Sequence, residues 1–76
     1  MAPTIGRIVN YRLLPDERGN GNMADMAPAI ITAVWAESGG GSGVNLRVFL
    51  DGEAVLWRTS VREGQEPGEW LWPVRV

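Results

Sequence analysis

The sequence contains no cysteine, no histidine and no lysine. Without cysteine it can form no disulfide, and without cysteine and histidine the usual zinc sites are excluded. The same absences remove the commonest general base and two common nucleophiles. We therefore expect a protein that is not an enzyme and that uses no metal and no cofactor.

The chain is also short. A domain of 76 residues buries only about 60% of the surface of its unfolded chain, and domains this small usually need a disulfide, a metal or a partner subunit. Because the first two are excluded, association of several copies is left, along with dense aromatic packing. The sequence thus predicts a homo-oligomer.

The net charge is small as well, since nine acidic and seven basic residues give −2. This balance argues against duplex nucleic acid as a partner. All seven basic residues are arginine. A GC-rich genome would favour arginine codons, whereas a phosphate ligand would favour the planar guanidinium fork. Composition alone favours the first explanation.

Long apolar runs are missing too. No stretch approaches the ~20 apolar residues of a membrane-spanning helix, so we expect no membrane partner. The first residues lack the charged start and apolar run of a signal peptide. We therefore expect a soluble intracellular protein.

Short apolar runs rich in Val, Ile, Trp and Phe, separated by Gly and Pro, are typical of β-strands. Five strands are predicted, at residues 6–13, 29–35, 44–50, 54–61 and 70–74. The second is apolar on both faces and is predicted to lie at the centre of the sheet. Asp51–Gly52 predicts a hairpin, and Pro73 predicts that the fifth strand lies at an edge. The sequence therefore predicts one all-β domain over residues 1–76, a small five-stranded antiparallel bent sheet or SH3-like barrel, in oligomeric form.

Two polar connections invite a search for a site. The glycine-rich turn at residues 37–43 has no following Lys-Ser/Thr and no βαβ context, so phosphate-loop and dinucleotide patterns fail. Asp16, Glu17 and Asp25 share one loop and could hold a divalent cation, but they lack EF-hand spacing. We expect them to be solvated loop acids.

The four tryptophans are the most informative residues. Trp70 and Trp72 point to the same side of a strand, and each indole can serve the core, a protein contact or the wall of a ligand site. Indole faces stack on nucleobases with about 1–3 kcal/mol per base. Because four indoles would crowd so small a core, at least one is expected at a rim or an interface.

Four stretches carry a resemblance to a group of small phage-encoded proteins. They are PTIGRIVNY at residues 3–11, AIITAVW at 29–35, VNLRVFLDG at 44–52 and PGEWLWP at 67–73. The closing stretch of that group usually reads Gly-x-Trp-His-Trp-Pro, and Leu71 stands here in place of the histidine. The resemblance implies a phage protein acting in the cytoplasm of an infected bacterial host.

Two functions are common among small phage β-proteins. The first is counter-defence, in which an oligomer sequesters a nucleotide-derived immune signal, such as a cyclic ADP-ribose isomer or a cyclic dinucleotide, without catalysis. The alternative is a virion, assembly or protein-interaction module. The first is our leading expectation, with the small ligand bound at or near a subunit interface. The predicted ligand-binding residues are Arg7, Asn10, Tyr11, Arg12, Trp70, Trp72 and Arg75.

Overall fold

The structure is a computed structural model that describes residues 2–36 and 42–74. Its strands are β1 Ile8–Arg12, β2 Met26–Ala36, β3 Ser42–Phe49, β4 Val55–Arg62 and β5 Trp70–Leu71. A short 3-10 helix, Arg18–Gly21, lies in the connection between β1 and β2.

The five strands form one antiparallel sheet in the order β4-β3-β2-β1-β5, which curls into a half-barrel. The all-β class, the central position of β2 and the edge position of β5 are confirmed. An SH3-like barrel and the oligomeric state stay predictions. Within the two described ranges, no helix has the length and apolar character needed to cross a bilayer.

The core lies on the inner side of the curl. Side chains alternate along each strand, and every second residue of β1, β2 and β3 points inward. Trp72 and Leu56 pack against this core from its margin. Its buried members are Val9, Tyr11, Leu13, Ala27, Ala29, Ile31, Val44, Leu46, Val48, Leu50, Val61 and Trp70.

The curl has a local cause at Asn45 of β3. On one side, β2 carries an extra residue between Ile31 and Ala33, which pair with Leu46 and Asn45. On the other side, the register of β4 shifts between the partners of Val44 and Leu46. Bulges bend a strand and increase its twist. Two bulges opposite one residue therefore roll both neighbouring strands around the core.

The two edges of the half-barrel approach each other at one point. The backbone N–H of Gly64, just after β4, donates to the carbonyl of Trp70 in β5 at 2.9 Å. Glu63 and Trp70 thereby form a parallel bridge. Trp70 is thus held by β1 on one side and by the end of β4 on the other.

Of the two turns predicted between β2 and β4, the structure describes one. The hairpin between β3 and β4 is confirmed, since the Leu50 N–H donates to the Ala54 carbonyl at 3.2 Å and Gly52 has a φ of 139°. The flexible turn predicted at residues 37–43 falls largely on residues 37–41, which lie outside the described residues.

Candidate functional site

The predicted ligand walls Tyr11 and Trp70 are partners across β1 and β5. Each side chain is only about 1% exposed and belongs to the core. The Tyr11 hydroxyl donates to Oε1 of Glu17 at 3.0 Å. In a single copy these two aromatic rings therefore present no open stacking face, and their role toward a ligand stays a prediction.

Of the residues predicted to form the walls of a ligand site, Trp72 is partly exposed to solvent. Its ring stands edge-on to Trp70, with the ring centroids 5.1 Å apart and the ring planes at 86°. Edge-to-face pairs of this kind add about 0.5–1.5 kcal/mol beyond their burial. The indole N–H of Trp70 is buried, and no described residue accepts a hydrogen bond from it.

The polar and charged residues predicted to bind the ligand lie in different parts of the chain. Asn10 and Arg12 alternate with Tyr11 along β1, so they point to the side of the sheet away from the core. Arg7 is exposed just before β1. Arg75 lies outside the described residues. The structure thus brings Tyr11, Trp70 and Trp72 together and places Asn10 and Arg12 on the opposite side.

An ionic cluster with a buried carboxylate joins the connection between β1 and β2 to β4. Glu17 is only 5% exposed, so the expectation of a solvated loop acid is wrong for this residue. Its Oε1 accepts from the Leu14 N–H at 2.8 Å as well as from Tyr11, and its Oε2 pairs with Arg58 of β4. Glu17 therefore links the loop and β1 to the far edge strand.

No metal site accompanies this cluster. Among the described residues, no three acidic, histidine or cysteine side chains are grouped in a way that could hold a metal ion. Asp25, which shares the loop with Glu17, lies 3.7 Å from the guanidinium of Arg18. Glu17 and Asp25 therefore each face an arginine, and Glu17 also accepts from a backbone N–H.

The most distinctive exposed surface is apolar and lies on the outer side of the sheet. We call it the outer patch. The register places Ile8, Ile30, Arg47 and Trp57 in one row across four strands. Trp57 and Ile8 are 60% and 59% exposed. The outer patch consists of Ile8, Pro28, Ile30, Arg47, Phe49, Val55 and Trp57.

The composition of this patch is unusual for a sheet face in contact with water. Such a face ordinarily carries polar side chains opposite the core. Here Phe49 and Val55 are partners at the ends of β3 and β4, and they are 38% and 44% exposed. Arg47 is the charged member among these residues, and its direct partner is Trp57. The patch thus combines aromatic and aliphatic side chains with one guanidinium.

A second exposed indole is fixed by the double bulge. Trp35 donates from Nε1 to Oδ1 of Asn45 at 2.9 Å. The same oxygen accepts from the backbone N–H of Ser60 at 3.1 Å, where Ser60 has a φ of 54°. The partner of Trp35 on β3 is Gly43, which leaves room for the indole beside the backbone. Trp35 is 51% exposed, yet it is held in one direction.

We expected at least one indole at a rim or an interface, and Trp35 and Trp57 are exposed in the structure. The predicted role of Trp70 and Trp72 as ligand walls stays a prediction. The strand alternation contained a signal for Trp57, because Leu56 and Arg58 turn inward beside it. No signal in the sequence pointed to Glu17.

Comparison with known proteins gave no match to any family model, to any curated protein or to any solved structure.

Proposed function

We propose that this chain works without catalysis, as a protein-interaction module whose contact surface is the outer patch. The observation that carries the proposal is the row of Ile8, Ile30, Arg47 and Trp57 on the side of the sheet opposite the core, in which one guanidinium lies among three apolar side chains. Contiguous exposed apolar patches on small proteins mark sites of protein or ligand contact.

The composition of the patch supports a protein contact. Tryptophan and arginine are the residues most enriched among the side chains that dominate binding energy at interfaces. Trp57 and Arg47 lie side by side within the patch, with Phe49 and Val55 beside them. Together with the resemblance to small phage-encoded proteins, this composition supports a virion, assembly or other protein-interaction role in the cytoplasm of an infected bacterium.

Photo-cross-linking tests the proposal and identifies the partner. A photoreactive amino acid such as benzoylphenylalanine replaces Trp57 in one variant and Val74 in a matched control. Val74 is also apolar and exposed, but it lies beyond β5 and outside the outer patch. In cells that make the protein, we expect position 57 to give a discrete protein adduct that position 74 does not give. Equal adduct patterns at both positions would contradict the proposal.

Capture of a nucleotide-derived signal is the second candidate, and one observation favours it. The Trp70 indole N–H is a buried donor that no described residue satisfies, and buried indoles usually have a partner. Half-buried Trp72 stands beside it as the accessible wall.

Thermal shift assays separate this candidate from the first. Cyclic dinucleotides and ADP-ribose isomers are the probes, and a true ligand at 100 times its Kd adds about 2.7 kcal/mol of stability. We expect Trp72→Leu to remove that shift and Trp57→Leu to keep it. The absence of a shift with every probe would leave the protein-interaction role alone.

A further inference from the structure

We propose that the protein partner of the outer patch is acidic at the contact, where it places a carboxylate on Arg47 with apolar side chains on either side of that carboxylate. This inference rests on the proposed function, because it gives the chemistry of the partner that binds the same surface. Two observations support it: the surroundings of Arg47 and the distribution of charge over the sheet.

Arg47 lies among side chains that cannot pair with a guanidinium. Its direct partners across the sheet are Ile30 of β2 and Trp57 of β4. An isoleucine side chain has no polar atom, and an indole has only an N–H donor. Phe49, two residues further along β3, is apolar as well. The guanidinium of Arg47 is exposed, so water hydrates it while the outer patch is uncovered.

The amide on the same side of β3 is already in use. Asn45 lies two residues before Arg47. Its Oδ1 accepts from Nε1 of Trp35 at 2.9 Å and from the backbone N–H of Ser60 at 3.1 Å. Because the carbonyl oxygen of an amide has two lone pairs, both are engaged. Asn45 Oδ1 therefore offers no further acceptor to Arg47.

Charge is divided unevenly between the sheet and its connections. No residue of the five strands is aspartate or glutamate. Glu17 and Asp25 pair with Arg58 and Arg18, and both carboxylates belong to the connection between β1 and β2. Within the described residues, Arg47 pairs with no carboxylate. A chain of net charge −2 thus presents an unpaired positive charge in the middle of the outer patch.

A partner that covers this row removes water from the guanidinium. Burying a charge is costly unless the charge is paired and hydrogen-bonded, so the partner has to supply an acceptor. A carboxylate matches the planar guanidinium with two parallel hydrogen bonds. Ile30 and Trp57 lie one strand away from Arg47 on either side. We therefore expect apolar side chains of the partner about 5 Å to either side of its carboxylate.

A second copy of the chain, docked face to face, does not meet this requirement. Its outer patch would bring a second Arg47 and no carboxylate, since the strands contain none. The outer side of a half-barrel is also convex, so a flat protein surface reaches only the middle of the row. A short acidic segment of a different protein fits both the charge and the shape.

Cross-linking at position 57, repeated with variants of Arg47, tests the inference. We expect Arg47→Glu to lower the yield of the protein adduct by at least about tenfold, because two carboxylates then meet. Arg47→Lys keeps the charge and should keep most of the adduct. Mass spectrometry of the adduct should show aspartate or glutamate beside apolar residues in the linked segment. Lysine in place of that acidic residue of the partner should restore the adduct with Arg47→Glu, which a loss of folding would not allow.

Other outcomes have distinct meanings. An equal adduct yield with Arg47→Glu, a linked segment without an acidic residue, or a lost adduct that lysine in the partner does not restore overturns the inference and leaves the proposed function intact. An adduct between two copies of this chain does the same. An adduct that a nuclease shortens identifies a nucleic acid and overturns both. The absence of any adduct specific to position 57 also overturns both.

Discussion

At the scale of single residues, Glu17 shows how one carboxylate holds distant parts of this small protein together. Its oxygens accept from Tyr11 in β1, from the Leu14 backbone and from Arg58 in β4. Breaking a buried pair from one side is costly, because it leaves the remaining charge and donors without a partner. The cost is reduced here because the Arg58 side chain is 38% exposed.

We therefore expect Glu17→Ala to lower the free energy of unfolding by about 3 kcal/mol. Glu17→Gln keeps an acceptor for Tyr11 and should lose less. Asp16→Ala is the matched control, since Asp16 is the exposed neighbour and its loss should change stability by less than about 0.5 kcal/mol. Urea unfolding measures all three, and an equal effect of Asp16→Ala and Glu17→Ala would contradict this account.

Asn45 is the second residue whose side chain organises its surroundings. Its Oδ1 accepts from Trp35 and from the Ser60 N–H, so it satisfies a backbone donor that the bulge in β4 takes out of the ladder. Asn45→Ala should cost about 2 kcal/mol, because two donors lose their acceptor. Asn45→Asp keeps an oxygen in place and should cost less. Thermal unfolding that ranks Asp no better than Ala would show that this acceptor is unimportant.

At the scale of elements, the position of β5 beside β1 depends on the turn at residues 66–69. Pro67 and Gly68 occupy its centre, the Glu69 N–H donates to the Glu66 carbonyl at 3.1 Å, and Gly68 has a φ of 86°. Proline followed by a residue of positive φ is the pattern of a type II turn. This turn places Trp70 opposite Tyr11, so the sequence Pro-Gly directs the closing strand into the core.

We expect Gly68→Ala to destabilise the protein by about 1–2 kcal/mol, because a side chain is strained at this φ. The new methyl group would also lie 3.3 Å from Leu14. Gly19→Ala is the control, since no atom lies within 4 Å of its added carbon and its φ is not positive. Thermal unfolding compares the two variants. Similar losses at both sites would exclude the turn as the cause.

The same elements show what the sequence can and cannot predict. Alternating apolar residues, Asp51–Gly52 and Pro73 were sufficient for the five strands, the hairpin and the edge position of β5. The start of β2 at Met26 was missed because Pro28 argues against a strand. Pro28 is tolerated because the last pairing of β2 with β3 there is Ala29 with Val48, so the missing N–H falls where the ladder ends.

The candidate site was harder to predict, for a physical reason. The burial of Glu17 depends on its pair with Arg58, 41 residues away. The inward direction of Tyr11 follows the alternation of β1, whereas its contact with Trp70 depends on pairing with a strand far along the chain. Long-range contacts of this kind leave no periodic pattern in the chain. The alternation of β4 indicates that Trp57 faces outward, whereas the exposure of Trp35 depends on the bulge in β2.

At the scale of the whole molecule, this is a half-barrel with two apolar surfaces. The inner one holds the core, beside which Glu17 bonds to Tyr11 and pairs with Arg58, and the outer patch faces solvent in a single copy. The tryptophans differ in their surroundings: Trp70 lies in the core with Trp72 packed against it, whereas Trp57 is exposed on the surface that we propose contacts a protein partner. A protein partner bound at the outer patch would bury Trp57 and leave the surroundings of Trp70 unchanged.

Fluorine NMR of the chain labelled with 5-fluorotryptophan tests this division most directly. The four resonances are assigned by single Trp→Phe variants and followed during titration with the protein that cross-links to position 57. We expect the Trp57 resonance to shift as this partner binds and to lose its sensitivity to solvent, while the Trp70 resonance stays constant. A Trp57 resonance that keeps its solvent-exposed position with the partner bound, or a shift confined to Trp70 and Trp72, would contradict the proposed contact surface.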